Sequence, residues 1–259
     1  MTEKSIIFFD IDGTLLGSDK KLPASTKEAV FALKRLGHEV AIATGRAPFM
    51  FEEIRKELEI DTYVSYNGQY VVLQGEAVYK NPMDKKALQS LTDLSLNHNH
   101  PIVYMDHEDM KVSIPNHEYV SSSMASLKIS GFPAHDPLYY QNRDLYQSLL
   151  FCVEGEEKLY EASCPAFDFI RWHTYSVDVV PAGGSKAKGL VKITEQLGIP
   201  AEHQYAFGDG LNDLEMLKLI SNSVAMGNGV PEAKAAAKYV TKSSDEDGIL
   251  HGLKMVGLL

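Results

Sequence analysis

The chain has 259 residues, enough for one large core or two domains of about 100 to 150 residues each. Its composition, 44% hydrophobic and 23% charged, is that of an ordinary globular protein, and a formal net charge of -10 argues against a nucleic-acid partner. Two cysteines without metal-ligand spacing argue against a disulfide scaffold or zinc site, and no run reaches the roughly 20 apolar residues of a membrane span, so a soluble cytoplasmic protein is expected.

Ile6 to Phe9 is too short for a signal peptide and reads as a buried strand. It runs into Asp10 and Asp12, spaced i, i+2. In an extended chain these side chains point to the same side, where two like charges repel unless a cation sits between them. Gly13 lets the chain turn. On this stretch alone, a solvated strand end and a paired-carboxylate site both remain open.

Ser25 to Glu28 has the spacing of a helix capping box, followed by Ala29, Val30, Leu33 and Leu36 at helical intervals and a stop at Gly37. Val40 to Ala43 reads as a second strand, ending at Thr44-Gly45-Arg46. Pro48 opens a helix to about Leu58. Tyr63 to Tyr66 is a third strand closed by Asn67-Gly68, and a hairpin follows with arms Tyr70 to Leu73 and Ala77 to Tyr79. Continuous apolar strands alternating with helices indicate a parallel sheet covered on both faces.

From Pro82 the texture changes. Residues 84–97 read as a helix, Pro101 to Met105 and Lys111 to Ile114 as strands, and Tyr119 to Leu127 as a helix; Gly131 to Asn142 carries no assignment. Leu149 to Val153 is a strand. Phe167 to Trp172 and Tyr175 to Val180 form a hairpin, whose tip reads as a plain turn or, alternatively, as an aromatic surface for a substrate. Strands bunched in hairpins suggest an α+β domain. After Pro181 the first texture returns. Lys186 opens a helix to Leu197, Tyr205 to Phe207 is a strand ending at Gly208-Asp209-Gly210-Leu211-Asn212-Asp213, and Leu214 to Ile220 is a helix. Ser223 to Met226 is a strand, Pro231 starts a helix, Tyr239 to Thr241 is a short strand and Ile249 to Val256 a closing helix. The expected architecture is an α/β, doubly wound, Rossmann-like core of residues 1–81 and 182–259, with an α+β domain inserted at 82–181.

Ligands of open parallel sheets bind beyond the carboxyl ends of the strands. Those ends carry Asp10, Asp12, Thr44, Asp209 and Asp213, an oxygen-rich set suited to Mg²⁺ and lacking the His or Cys of a zinc site. Adjacent glycines let backbone N–H groups approach an anion, and Lys186 at a helix start can neutralise a phosphate.

Together these residues resemble the haloacid dehalogenase superfamily. Asp10-Ile11-Asp12-Gly13-Thr14 is similar to its first motif, Thr44 to its second, Lys186 to its third and Gly208 to Asp213 to its fourth. Thr44-Gly45-Arg46, Asn67-Gly68, Ala225-Met226-Gly227-Asn228 and Asp247-Gly248 resemble the Cof-like phosphatases with a large inserted α+β cap, from which Gln69 departs where that subfamily usually has Ala. The resemblance implies that Asp10 is a nucleophile toward phosphorus and that Asp12 is the acid and base. It also implies that Asp10, the Asp12 carbonyl and Asp209 hold Mg²⁺, and that Asp213 holds a metal-bound water or orients Lys186. Thr44, Gly45, Lys186 and Asn212 would bind the phosphoryl group, Asn67 the substrate, and Arg46 either the substrate or its own loop. The expected activity is hydrolysis of small phosphorylated metabolites such as sugar or cofactor phosphates, by a monomer.

A phosphomutase of the same fold is the alternative, disfavoured because residues 82–181 carry no concentrated Arg/Lys cluster. A receiver domain needs no inserted domain, and a non-catalytic phosphate-binding protein would be expected to have lost one of the carboxylates.

Overall fold

The computed structural model describes residues 4–126 and 132–259. The described residues of Met1–Arg46, Phe51–Tyr79 and Ser185–Leu259 form one compact unit, and those of Ala47–Met50 and Lys80–Gly184 a second.

The first unit contains a sheet of eight strands. Its first half supplies β1 (Ile6–Phe9), β2 (Glu39–Ala43), β3 (Thr62–Ser65), β4 (Tyr70–Leu73) and β5 (Glu76–Lys80), and its second half β12 (Gln204–Gly208), β13 (Asn222–Ala225) and β14 (Tyr239–Val240). The order is β14-β13-β12-β1-β2-β3-β4-β5. Pairing is parallel from β14 to β3 and antiparallel between β3 and β4. β1 is therefore central, and the winding reverses beside it, at the edge where such sheets bind ligands. Phe8 and Phe9 are fully buried, each worth on the order of 1.5–3 kcal/mol against exposure. Because side chains alternate, Ile6 and Phe8 pack with Leu190, Ile193 and Met216 on one face.

Helices α1 (Ala24–Arg35), α2 (Glu52–Leu58) and α9 (Gly248–Met255) form one group, α6 (Lys186–Leu197), α7 (Leu214–Leu219) and α8 (Pro231–Ala236) the other. The parallel doubly wound expectation holds. The capping box at Ser25 does not. Pro23, at φ -63° and ψ 143°, is the N-cap, and its carbonyl accepts from Lys27 N–H, so Ser25 already lies inside the first turn and its hydroxyl has no partner. The expected stop at Gly37 is made by its left-handed φ of 88°, which carries His38 N–H back to Leu33. The helix from Pro48 is split, with a 3-10 turn over Pro48–Phe51 preceding α2.

In the second unit, α3 (Lys85–Asn97), α4 (Glu118–Ser126) and α5 (Glu157–Ser163) accompany β6 (Ile102–Met105), β7 (Met110–Val112), β8 (Ala134–His135), β9 (Gln147–Leu150), β10 (Phe167–His173) and β11 (Ser176–Pro181). The sheet order is β10-β11-β9-β6-β7-β8. Asp84 caps α3 by accepting from Lys86 and Ala87 N–H. Helix α5 and strand β8 are absent from the sequence expectation, and β9 begins two residues earlier than expected because its buried start, Gln147-Ser148, is polar. Leu127 and Gly131, the ends of two expected segments, lie outside the described residues. Both cysteines are free and buried. Among the described residues no helix is long and apolar enough to cross a membrane.

Candidate active site

The site is built in the first unit where β1, β2, β3 and β12 end. Extended backbone stops at Phe9. Asp10 N–H still reaches the Phe207 carbonyl on β12, but Leu15 and Leu16 N–H turn back to the Asp10 and Ile11 carbonyls. The strand therefore ends before Asp12, and the two side chains, expected on the same side, meet different partners, Lys186 for Asp10 and Arg46 with Lys20 for Asp12. Gly13 makes the turn at φ 77°, where a Cβ would run into the Asp209 carboxylate.

Asp10 meets residues from the far end of the chain. Lys186 Nζ donates to Asp10 Oδ1 at 2.5 Å and to Asp213 Oδ1 at 2.7 Å. The other Asp213 oxygen accepts from Asp209 and Gly210 N–H at 2.9 Å each, and Thr14 Oγ1 donates to Asp209 Oδ1 at 2.9 Å. Oxygens of Asp10, Asp209 and Asp213 all lie within 4.8 Å of one another. Burial pushes the Asp10 carboxyl up to about 8 against the pull of Lys186, with Asp213 adding to the rise. Burial likewise takes Asp209 to about 6, opposed by the Thr14 hydroxyl and aided by Asp213. Burial alone would lower Lys186, but the charges of Asp10 and Asp213 outweigh it and hold the ammonium protonated.

The Asp12 carboxylate lies outside that group. Arg46 grips it in bidentate fashion, through Nε and Nη2 at 2.7 Å each, and Lys20 Nζ adds a third donor at 2.7 Å. Burial works upward on Asp12, but the hydrogen bonds and charges of Arg46 and then Lys20 prevail and hold it below the usual carboxylate range. Lys20 makes this contact from a left-handed backbone, φ 64°, uncommon for a side chain of its kind.

Thr44 is buried at the end of β2, its hydroxyl accepting from Arg46 N–H and its carbonyl from Asn67 N–H. Tyr66 and Asn67 are both left-handed, at φ 53° and 50°. This kink brings the Asn67 amide against Gly45, where a Cβ would lie 3.0 Å from Nδ2, while Asn67 Oδ1 is buried without a partner. Gly68 follows at φ 96°, its Cα facing the Ser185 carbonyl, and Gly189 approaches so closely that a Cβ would sit 2.5 Å from Val64. These two glycines dock the start of α6, and with it Lys186, onto the loop after β3. Asn212 sits in the Leu211–Asp213 turn with its side chain exposed.

A family model described as haloacid dehalogenase-like hydrolase matches residues 7–253. The chain belongs to the haloacid dehalogenase-like hydrolases. A hypothetical protein of Geobacillus kaustophilus HTA426 is 54% identical, with a TM-score of 0.96 and coverage of 99% of this chain and 100% of that one. The Bacillus subtilis (strain 168) protein named "Putative phosphatase YkrA" is 46% identical over 99% of both chains. The HAD subclass IIB sugar phosphatase BT4131 is 32% identical, with a TM-score of 0.85 over 99% of this chain and 100% of that one. The family and its phosphatase activity, expected from the motifs, are thus borne out.

In this haloacid dehalogenase-like hydrolase the site fits a hard cation. The clustered ligand atoms are all carboxylate oxygens, and burial raises two of the carboxyls, as expected of negative charge without enough compensation. Sequence reasoning assigned no role to Thr14 or Asn228, although both stand in quoted motifs, and it missed Lys20 altogether. A lysine in the Ser18-Asp19-Lys20-Lys21 run has no local signal distinguishing it from a solvated surface charge.

Proposed function

We propose that the chain is a Mg²⁺-dependent phosphatase that hydrolyses small phosphorylated metabolites through an aspartyl phosphate on Asp10. The observation that carries this reading is the buried Lys186–Asp10 contact beside Asp209 and Asp213. A phosphate dianion repels a bare carboxylate, and this arrangement supplies a fixed positive charge against the nucleophile and two carboxylates, Asp10 and Asp209, free to hold a cation while Asp213 holds Lys186.

An Asp10 oxygen attacks phosphorus in line as the bond to the leaving oxygen breaks, and Asp12, which has to take up a proton from solvent against the pull of Arg46 and Lys20 as the substrate binds, gives it to that oxygen. Water then attacks the phosphoryl group, Asp12 takes its proton, and the bond between phosphorus and Asp10 breaks to release phosphate. Lys186 keeps Asp10 oriented and offsets its charge. Asp213, whose oxygens already accept from Lys186 and two backbone N–H groups, acts by holding Lys186 and the Asp209 loop in place. Thr44, Gly45 and Asn212 bind phosphoryl oxygens, and the unpartnered Asn67 oxygen accepts from the substrate. Arg46 fixes its loop and the Asp12 carboxylate. Magnesium, held by Asp10, the Asp12 carbonyl and Asp209, would neutralise charge on the phosphoryl oxygens. The inserted domain, expected from sequence at 82–181 and lying within the second unit, serves as a cap that selects the substrate, sugar phosphates being the class suggested by the BT4131 likeness.

The reading is tested by assaying a panel of phosphorylated sugars and cofactors with Mg²⁺, with EDTA, and with EDTA followed by Mg²⁺ or Zn²⁺. Reversible loss on chelation and best recovery with Mg²⁺ are expected. Best recovery with Zn²⁺ would overturn the ligand assignment.

A further inference from the structure

We infer that Asn228 is a positioning residue for the metal-binding carboxylates, clamping the Gly13 peptide against which Asp209 is seated. The inference rests on the reading that Asp10 and Asp209 hold Mg²⁺, and goes beyond it by assigning a residue outside the carboxylate cluster.

Three loops meet at this side chain. Asn228 Nδ2 donates to the Gly13 carbonyl at 2.8 Å, and Asn228 Oδ1 accepts from Ser244 N–H at 2.9 Å. One amide thus uses its donor and its acceptor to join the loop after β1 to the segment before α9. Gly13 is the point of closest approach. A Cβ there would enter the Asp209 carboxylate and lie 3.1 Å from Asn228 Nδ2. The next residue, Thr14, donates to Asp209 Oδ1 at 2.9 Å. Rotation of the Gly13 peptide would therefore move the Asp209 contact and the Asp12 end of the same turn together.

Asn228 is itself held rigidly although its side chain is exposed. Gly227 N–H donates to the Lys242 carbonyl, Gly229 N–H to the Met226 carbonyl and Val230 N–H to the Asp209 carbonyl, each at 2.9 Å. Gly229 lies so close to Asp209 that a Cβ would be 3.2 Å from its Cα. The turn carrying Asn228 is thus bonded on one side to the Asp209 backbone, and its side chain returns on the other to the Gly13 peptide. Removing the amide frees the peptide without touching any carboxylate. Hydrogen-bond partners that orient metal ligands commonly contribute 10–100-fold to metal affinity.

The test is calorimetric titration of Mg²⁺ into metal-free wild type, Asn228→Ala, Thr14→Val and the double variant, with melting curves recorded without metal. Asn228→Ala is expected to weaken Mg²⁺ binding by about tenfold. The double variant should lose less than the product of the two single losses, because both substitutions act on the one segment from Gly13 to Thr14. An unchanged dissociation constant in Asn228→Ala, or losses that simply multiply, would overturn the inference. Should the alanine variant fail to fold, Asn228→Ser carries the test. Its shorter hydroxyl cannot bridge the Gly13 carbonyl and Ser244 N–H together, so wild-type affinity in that variant is equally fatal. No Mg²⁺ binding by the wild type would instead overturn the metal reading beneath it.

Discussion

Lys186 donates to Asp10 at 2.5 Å across 176 positions of sequence. The same buried ammonium serves Asp213, so two carboxylates depend on one cation. Removing one partner of a buried ion pair costs about 3–5 kcal/mol, because a charge is left uncompensated. Lys186→Met is expected to lose turnover and to melt well below the wild type without metal. Added Mg²⁺ should recover part of the melting temperature but not the activity. Thermal scans with and without Mg²⁺, beside a phosphatase assay, check both outcomes.

Asp10→Asn keeps the size of the side chain and removes the nucleophile, so hydrolysis of an aryl phosphate should vanish while the circular dichroism spectrum stays native. Near-normal turnover would sink the proposed mechanism.

Asp12→Asn should separate the two half-reactions. An aryl phosphate with a good leaving group can still transfer its phosphoryl group, but the water step lacks its base, a loss of roughly 10²- to 10⁴-fold. Labelled phosphoenzyme should accumulate in acid-quenched samples of this variant. Failure to trap it would count against an acid/base role for Asp12.

Gly68 and Gly189 hold the start of α6 close to the loop after β3. Gly68→Ala places a Cβ against the Ser185 carbonyl from a left-handed backbone, and Gly189→Ala places one against Val64. Overpacking of this kind costs about 1–3 kcal/mol. Each variant should unfold at lower denaturant, and Gly68→Ala should also lose activity as Lys186 shifts away from Asp10.

Asp106 offers a pH test in the second unit. It is buried and accepts from Tyr139, Arg143 and the Glu108 and Asp109 N–H groups. Burial works upward, but the Arg143 bond and then the others outweigh it and hold the carboxyl below its usual range. A depressed folded value means that the group stabilises the fold above its unfolded value of about 3.9, and that this is lost as pH falls through the lower folded value. Asp106→Asn should therefore melt below the wild type at neutral pH. The gap should narrow as the buffer is taken below about pH 3.9, as followed by calorimetry.

Sequence alone was most informative where local and global signals coincide. The runs ending in Asp10, Thr44 and Asp209 are short, apolar and followed by glycine or a turn, and each is a sheet strand. Helix α5 escaped because its seven residues, Glu157 to Ser163, bury only Tyr160 and show no apolar stripe. The Asp12–Arg46–Lys20 arrangement escaped because it depends on the chain leaving the sheet at Phe9 and on a left-handed lysine, neither of which spacing encodes. The Ser25 capping box failed because a proline two residues earlier had already set the helix start.

The adjacency of β1 and β12 also orders events on the ribosome. β1 leads into Asp10, yet its parallel neighbour β12 begins only at Gln204. All six strands of the second unit's sheet lie upstream of that residue, so their sheet can be completed while β1 still lacks one of its two partners. Pairings of such long range form late. A chain that stops before residue 186 therefore holds Asp10 and Asp12 without Lys186, Asp209 or Asp213, and translation has to pass Asp213 before the carboxylate cluster can close.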